Sequence, residues 1–188
     1  MLKIVVCVSG GGTNLQAILD AIDSGRITNT QVLAVISNNA GAKALERARD
    51  HGIEARALSP RKYPDREAFN QAFTEEMEKL SPDLIVLAGF LVRIPPQMVA
   101  AFSGRIVNIH PSLLPAFKGA HAIEQALAYG VKVFGVTVHW VDATLDGGRI
   151  IAQRAFSYEG SDLAELERQV HATEHPLYVE TVKRLLNE

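Results

Sequence analysis

A single cysteine, Cys7, is all the thiol chemistry in this 188-residue chain. That excludes an internal disulfide framework and agrees with a reducing compartment. Cys7 lies inside the apolar run Ile4-Val5-Val6-Cys7-Val8, so it reads as a small buried hydrophobe rather than a nucleophile. No apolar run approaches the roughly twenty residues of a membrane span. The N-terminal run stops at Ser9 and three glycines, so no secretory signal is expected. Neither sign of charge dominates, with 19 Lys and Arg against 21 Asp and Glu and a formal net charge of −2. Such a balance exerts no general pull on nucleic acid or anionic membrane, although a local basic pocket for a phosphate stays open. Repeats, low-complexity tracts and linkers rich in Pro, Gly or Ser are missing as well, which points to one domain. What is left is the profile of a cytoplasmic enzyme.

Residues 2–8 form a continuous apolar strand, and a Gly-rich loop follows at 9–13. Leu15, Ile18, Leu19 and Ile22 recur at helical spacing and predict a helix from about 14 to 24. Strands are expected at 32–37 and 53–58, with a helix at 42–51 between them. Asp65 suits the N-cap of a long helix at 66–80, whose apolar face includes Phe69, Phe73, Met77 and Leu80. Leu84-Ile85-Val86-Leu87 reads as a buried fourth strand and 105–109 as a fifth. Strands separated by helices imply right-handed crossovers, hence a three-layer α/β fold with a mostly parallel twisted sheet and a Rossmann-like N-terminal half. After Pro111 the pattern changes to a helix at 121–129, strands at 133–141 and 150–158, and a helix from Leu163 nearly to the end. Two consecutive strands joined by a loop predict an antiparallel finish.

The densest chemistry lies in Asn108-Ile109-His110-Pro111-Ser112-Leu113-Leu114-Pro115 and, some thirty-five residues later, Leu145-Asp146-Gly147-Gly148. Asn108 and His110 share one parity, so on a strand both side chains project from the same face. Pro111 ends a central strand there, at the C-terminal edge where open α/β sheets bind ligands. An amide donor, an imidazole and a carboxylate suit the steadying of charge and the movement of protons during addition to a carbonyl. Asp146 ahead of two glycines also fits a plain turn.

Ser9-Gly10-Gly11-Gly12-Thr13-Asn14 stands between a strand and a helix start, where backbone N–H groups and the helix dipole favour an anion. The dinucleotide fingerprint fails, because Leu15 stands where its third glycine belongs. The loop therefore reads as a cradle for a small anion such as a sugar monophosphate, or as a bare tight turn. The apolar stretch 89–96 is either a ligand wall or the cap of a core. Zinc on His110, His121, His139 and Asp146 is discounted, since no H-E-x-x-H, no paired cysteine and no two His at helical ligand spacing are expected. Glu174-His175 reads as solvated.

The chain closely resembles the folate-dependent phosphoribosylglycinamide formyltransferase family of purine biosynthesis over essentially its whole length. The likeness rests on residues 9–18, on Leu87-Ala88-Gly89-Phe90, on the 108–115 and 145–148 segments, on Gly135-Val136-Thr137-Val138-His139 and on Glu174-His175. It implies a single formyltransferase domain, with a phosphate-binding half at 1–104 and a catalytic and folate-binding half at 105–188. By that resemblance Asn108, His110 and Asp146 are catalytic. Gly12, Thr13 and Asn14 would hold the ribonucleotide phosphate, and His171, Ala172, Thr173 and Glu174 would meet the rest of that substrate. Arg66, Leu91, Val92, Arg93 and Ile94 would line a folate pocket that Asn108 also touches, and Asp142, Ala143, Thr144, Leu145 and Asp146 would close over it. Two departures stand out: the family often has Met-Arg-Ile-Leu where this chain has Leu91-Val92-Arg93-Ile94, and Pro where Lys118 stands. The resemblance further implies 10-formyltetrahydrofolate as a consumed co-substrate, no metal, and only small-molecule partners, with neither nucleic acid nor membrane. Monomer and homodimer both stay open.

The nearest rival is a formyltetrahydrofolate hydrolase, which would use the same triad with water in place of an amine. A tRNA formyltransferase shares the Asn-x-His and Asp but carries a further C-terminal domain. A non-catalytic sugar-phosphate binding module is a third reading, and a zinc hydrolase a fourth.

Overall fold

Strand β1 (Leu2–Val8) is buried without interruption from Ile4 to Val8, as expected of a strand covered on both faces of a parallel sheet. The computed structural model describes residues 1–188, which divide into two compact units, 1–107 and 108–188. In the first, β1 pairs in parallel with β2 (Thr30–Ser37) on one side and β4 (Leu84–Leu87) on the other, and β2 pairs in parallel with β3 (Ala55–Ala57). Helices α1 (Thr13–Asp23), α2 (Lys43–Asp50), α3 (Arg66–Leu80) and α4 (Pro96–Ala101) complete the unit. The Asp65 carboxylate accepts the Ala68 N–H at 2.8 Å and caps α3, while Phe69, Phe73 and Met77 turn into the core as their spacing predicts.

Strand β5 (Ile106–His110) runs through the division, so the strand order is β3-β2-β1-β4-β5 in the first unit and β5-β6-β7 in the second. There β6 (Val133–Trp140) and β7 (Ile150–Ser157) pair antiparallel, from Val133 opposite Ser157 to His139 opposite Ile150. The mixed sheet with its antiparallel C-terminal pair is the one the sequence pattern predicts. Helices α5 (Ala122–Tyr129) and α6 (Leu163–Asn187) belong to this unit, and Asp162 caps α6 by accepting from the N–H groups of Ala164 and Glu165. No helix is long and apolar enough to cross a membrane.

Several boundaries move. The fifth strand is 106–110 rather than 105–109, which keeps His110 inside the ladder, and β3 shrinks to three residues. Helix α4 and a 3₁₀ turn at Pro60–Lys62 were absent from the sequence pattern. Both begin at proline, which reads as a breaker in a sequence yet is well tolerated in the first turn of a helix.

The segment after β5 is tied down by Thr137, fully buried on β6. Its hydroxyl donates to the Ser112 carbonyl at 2.7 Å and accepts from the Leu114 N–H at 3.1 Å and from the Gln153 amide at 3.0 Å. Gly135 lets Leu113 approach, because a Cβ there would lie 2.5 Å from Leu113 Cδ2. Thr137→Val keeps the volume but leaves buried partners unsatisfied, so it should cost roughly 1–3 kcal/mol. That is a Tm fall of about 2–4 °C per kcal/mol for a chain of this size. An unchanged melting curve would overturn the role assigned to the hydroxyl.

Candidate active site

Within the second unit β5, β6 and the loop after β6 bring four polar side chains together. Asn108 and His110 leave β5 with the shared parity expected of i and i+2, and His139 comes from β6. Asp146 arrives on the loop, in a left-handed conformation with φ 47°. It is a turn residue whose side chain also faces the strand residues. Its carboxylate faces both imidazoles, with Oδ2 3.6 Å from His110 Nδ1 and Oδ1 3.8 Å from His139 Nε2. Only 12% of the Asp146 side chain is exposed, against 7% and 3% for the two histidines, so little water intervenes to screen the charges.

Backbone carbonyls decide which ring nitrogens carry hydrogen, because a carbonyl can only accept. His139 Nδ1–H donates to the Trp140 carbonyl at 3.0 Å, so its neutral ring turns a lone pair at Nε2 toward Asn108. The Asn108 amide donates one N–H to that lone pair at 3.2 Å, which fixes the amide's orientation and leaves its second N–H for another acceptor. Burial holds the His139 imidazole below its usual pKa, with the Trp140 hydrogen bond and the Asp146 charge opposing and His110 reinforcing. The β6–β7 register shifts between Val138 and His139, with Ile151 as the extra residue on β7, an irregularity of the kind often found beside functional sites.

His110 differs. Its Nε2–H donates to the Phe117 carbonyl at 2.8 Å, and Nδ1 faces Asp146. Each of its ring nitrogens thus faces an oxygen. Asp146 Oδ2 also accepts the Gly119 N–H at 2.7 Å, so the same carboxylate that faces His110 holds the turn after Phe117. In the 142–146 loop the Asp142 carboxylate accepts from the Thr144 hydroxyl at 2.5 Å and the Thr144 N–H at 2.8 Å, bonds that lower its pKa.

The remaining candidates fall in separate places. In the first unit Gly12 is left-handed at φ 74° and precedes α1, with Thr13 exposed and Asn14 buried. Arg66, Arg93 and Ile94 line a hollow of about 330 Å³ with Asn70, Pro95 and Pro96. Leu91 is not part of that wall: its side chain is 86% exposed, and its N–H donates to Ser9 Oγ at 2.8 Å. Val92 is half-buried. On α6 of the second unit, His171 and Ala172 are exposed and Thr173 is half-buried. Glu174 is buried and His175 is half-buried, which corrects the solvated reading of that pair. His171 and His175 do stand at i,i+4 with stacked rings 6.2 Å apart, a ligand-like spacing that the sequence reading missed. No group of three His, Cys, Asp or Glu could hold a metal ion.

His139 is the residue of this cluster that the sequence, beyond a discounted zinc reading, left without a role. Its signal was a histidine between Val138 and Trp140 in an apolar strand, since a buried polar ring needs a partner.

An amide, an imidazole and a carboxylate gathered on an α/β sheet have the chemistry that addition to a carbonyl needs, and comparison with known proteins gives the class. The formyl transferase family model matches residues 2–182, and the chain belongs to that family. Phosphoribosylglycinamide formyltransferase of Escherichia coli K12 is 42% identical over 94% of this chain and 84% of its own length. The protein of that name from Bacillus subtilis 168 is 40% identical over 99% and 95%. The crystal structure of phosphoribosylglycinamide formyltransferase from Bacillus halodurans, 43% identical, superposes with a TM-score of 0.94 over 99% of this chain and 96% of that one.

Two histidines, His139 and His175, have pKa values lowered from 6.5, in both cases chiefly by burial. Each binds a proton more readily in the unfolded chain. Their contribution to stability is therefore complete above the unfolded value near 6.5 and is lost as pH falls through the lowered folded value. Melting at about pH 5.5 should occur below melting at about pH 7.5, and His139→Gln should shrink that difference. A difference of the same size in the variant would remove His139 from this account.

Proposed function

We propose that the chain transfers the formyl group of 10-formyltetrahydrofolate to the primary amine of phosphoribosylglycinamide, giving the N-formyl product and tetrahydrofolate in purine biosynthesis. The observation that carries this is the Asp146 carboxylate facing both His110 and His139 beside the Asn108 amide. It agrees with the activity that the relatives' names state.

In this mechanism the amine nitrogen attacks the formyl carbon, a C–N bond forms, and the carbonyl electron pair moves onto oxygen. The second N–H of Asn108 donates to that oxyanion, and the nearby charge of protonated His110, held by Asp146, stabilises it. The attacking nitrogen gives up a proton. The intermediate then collapses, the bond to the folate nitrogen breaks, and that nitrogen takes a proton as it leaves. No electron is exchanged with a redox partner.

Gly12, Thr13 and Asn14 would receive the phosphate on backbone N–H groups at the start of α1. His171–Glu174 would meet the sugar and amide part of the same substrate. Pro176 supports this indirectly: it has no N–H to return to the Ala172 carbonyl, so that oxygen is released from the helix ladder. The hollow with Arg66 and Arg93 over Ile94 and two prolines suits a flat aromatic body ending in carboxylates, as reduced folates do. Arg93 would then supply a guanidinium close to where Val92 lacks one. The 142–146 loop would close over the folate, and the partners are small molecules met in the cytoplasm.

The deciding assay follows folate product from 10-formyltetrahydrofolate with and without phosphoribosylglycinamide, in the presence of EDTA. Product only with the amine supports the transferase. Product formed equally without it would mean the hydrolase, chelator-sensitive product a metal enzyme, and binding without turnover a sugar-phosphate module. Asn108→Ala should lower kcat about 10²–10³-fold, as loss of one oxyanion donor does. Asp146→Asn should lower kcat more than it raises KM. Wild-type activity in Asp146→Asn would sink the catalytic assignment.

A further inference from the structure

We infer that Arg47 is a positioning residue that sets the orientation of the Gly-rich loop and thereby its grip on the substrate phosphate. This rests on the proposal that residues 12–14 bind that phosphate. Three consecutive glycines leave the loop with more backbone freedom than any other triplet would, so its anion-facing geometry must be imposed from outside.

Helix α2 imposes it. The Ala44 N–H, in the first turn of α2, donates to the Gly10 carbonyl at 3.0 Å. Arg47, one turn further on and half-buried, donates Nε–H to the Gly11 carbonyl at 2.7 Å and Nη1–H to Gln16 Oε1 at 3.1 Å. Gln16 lies in the first turn of α1 and passes the chain of bonds to Asp20 at 2.8 Å. One guanidinium thus ties the loop and the helix it opens into a single piece. Gly12 completes the fit, because a Cβ there would lie 2.5 Å from Ala44 Cβ.

The consequence follows from the peptide plane. In a trans peptide the carbonyl and the following N–H point in opposite directions. With the Gly10 carbonyl drawn to Ala44, the Gly11 N–H faces away from α2. With the Gly11 carbonyl drawn to Arg47, so does the Gly12 N–H. The loop is also uncrowded, since a Cβ at Gly10 or Gly11 would meet nothing within 4 Å. Successive N–H groups aimed to one side with a left-handed residue among them form a concave anion site. Arg47 needs two donors in a fixed fork for this, which lysine lacks.

The test is calorimetric titration of the full chain, as wild type, Arg47→Met and Arg47→Lys, with phosphoribosylglycinamide and with its dephosphorylated riboside. Arg47→Lys keeps the charge and the aliphatic stem, so it also serves where the Met variant folds poorly. In both variants affinity for the phosphorylated ligand should fall about 10-fold or more, the scale of a lost charge-assisted hydrogen bond. Affinity for the riboside should be unchanged, and in turnover KM for the phosphorylated substrate should rise more than kcat falls. A phosphate preference retained in both variants would overturn the role of Arg47 while leaving the phosphate cradle standing. Retention by Arg47→Lys alone would show that charge and not the fork acts, which also overturns it. A wild type without any preference for phosphate would reject the cradle and the inference together.

Discussion

The Asp146 carboxylate is the constraint around which the second unit's chemistry is arranged. Three separate elements converge on it, with His110 from β5, His139 from β6 and the Gly119 N–H from the turn between β5 and α5. A largely buried negative charge is costly unless it is surrounded by donors and positive charge. Here that requirement links the site's composition to its shape: the His110 and His139 rings face the carboxylate, and the Gly119 N–H meets it directly. The neutral His139 contributes differently, by holding the amide of Asn108 in the orientation that keeps an N–H available. Two histidines beside one carboxylate thus turn different ring nitrogens toward it, because the backbone carbonyls of Phe117 and Trp140 engage Nε2 of one and Nδ1 of the other.

Around that charge the fold supplies rigidity through the main chain. Thr137 holds the Ser112–Leu114 turn by its carbonyl and its N–H, and Gln153 donates both to Thr137 and to the Leu114 carbonyl. Gly135 is needed where Leu113 crosses the strand, and at Gly148 a Cβ would collide with the Trp140 carbonyl. In the first unit Ser9 plays a comparable part. Its hydroxyl donates to Asn38 at 2.5 Å and accepts the Leu91 N–H, while its own N–H donates to the Gly89 carbonyl. Loops that leave the C-terminal ends of β1, β2 and β4 are thereby joined by one small side chain. Precise loop geometry in a flexible sequence thus comes from short polar side chains and helix starts that bond to backbone groups.

Much of this was legible in the sequence. Runs such as Ile4–Val8 and Leu84–Leu87, alternating with the 3.6-residue periodicity of α1 and α3, determine a parallel α/β sheet, because only a strand covered on both faces can be apolar throughout. The Asp65 cap and the shared parity of Asn108 and His110 are local properties, and both hold in the structure. Pro95-Pro96 concealed α4 because proline marks a helix start and a helix break alike. Glu174 looked solvated because burial of a charged residue depends on what packs over it.

Sequence by itself determined most of the element types and the residues able to do carbonyl chemistry, since those depend on local periodicity and side-chain identity, while the family followed from the resemblance of its motifs. Tertiary structure alone decided that Asp146 is more than a turn residue, that His139 belongs beside Asn108, and that Arg47 reaches the Gly-rich loop. Each of these rests on a distance between residues more than thirty positions apart in the chain. Such contacts depend on register, bulges and loop closure, which no local pattern encodes.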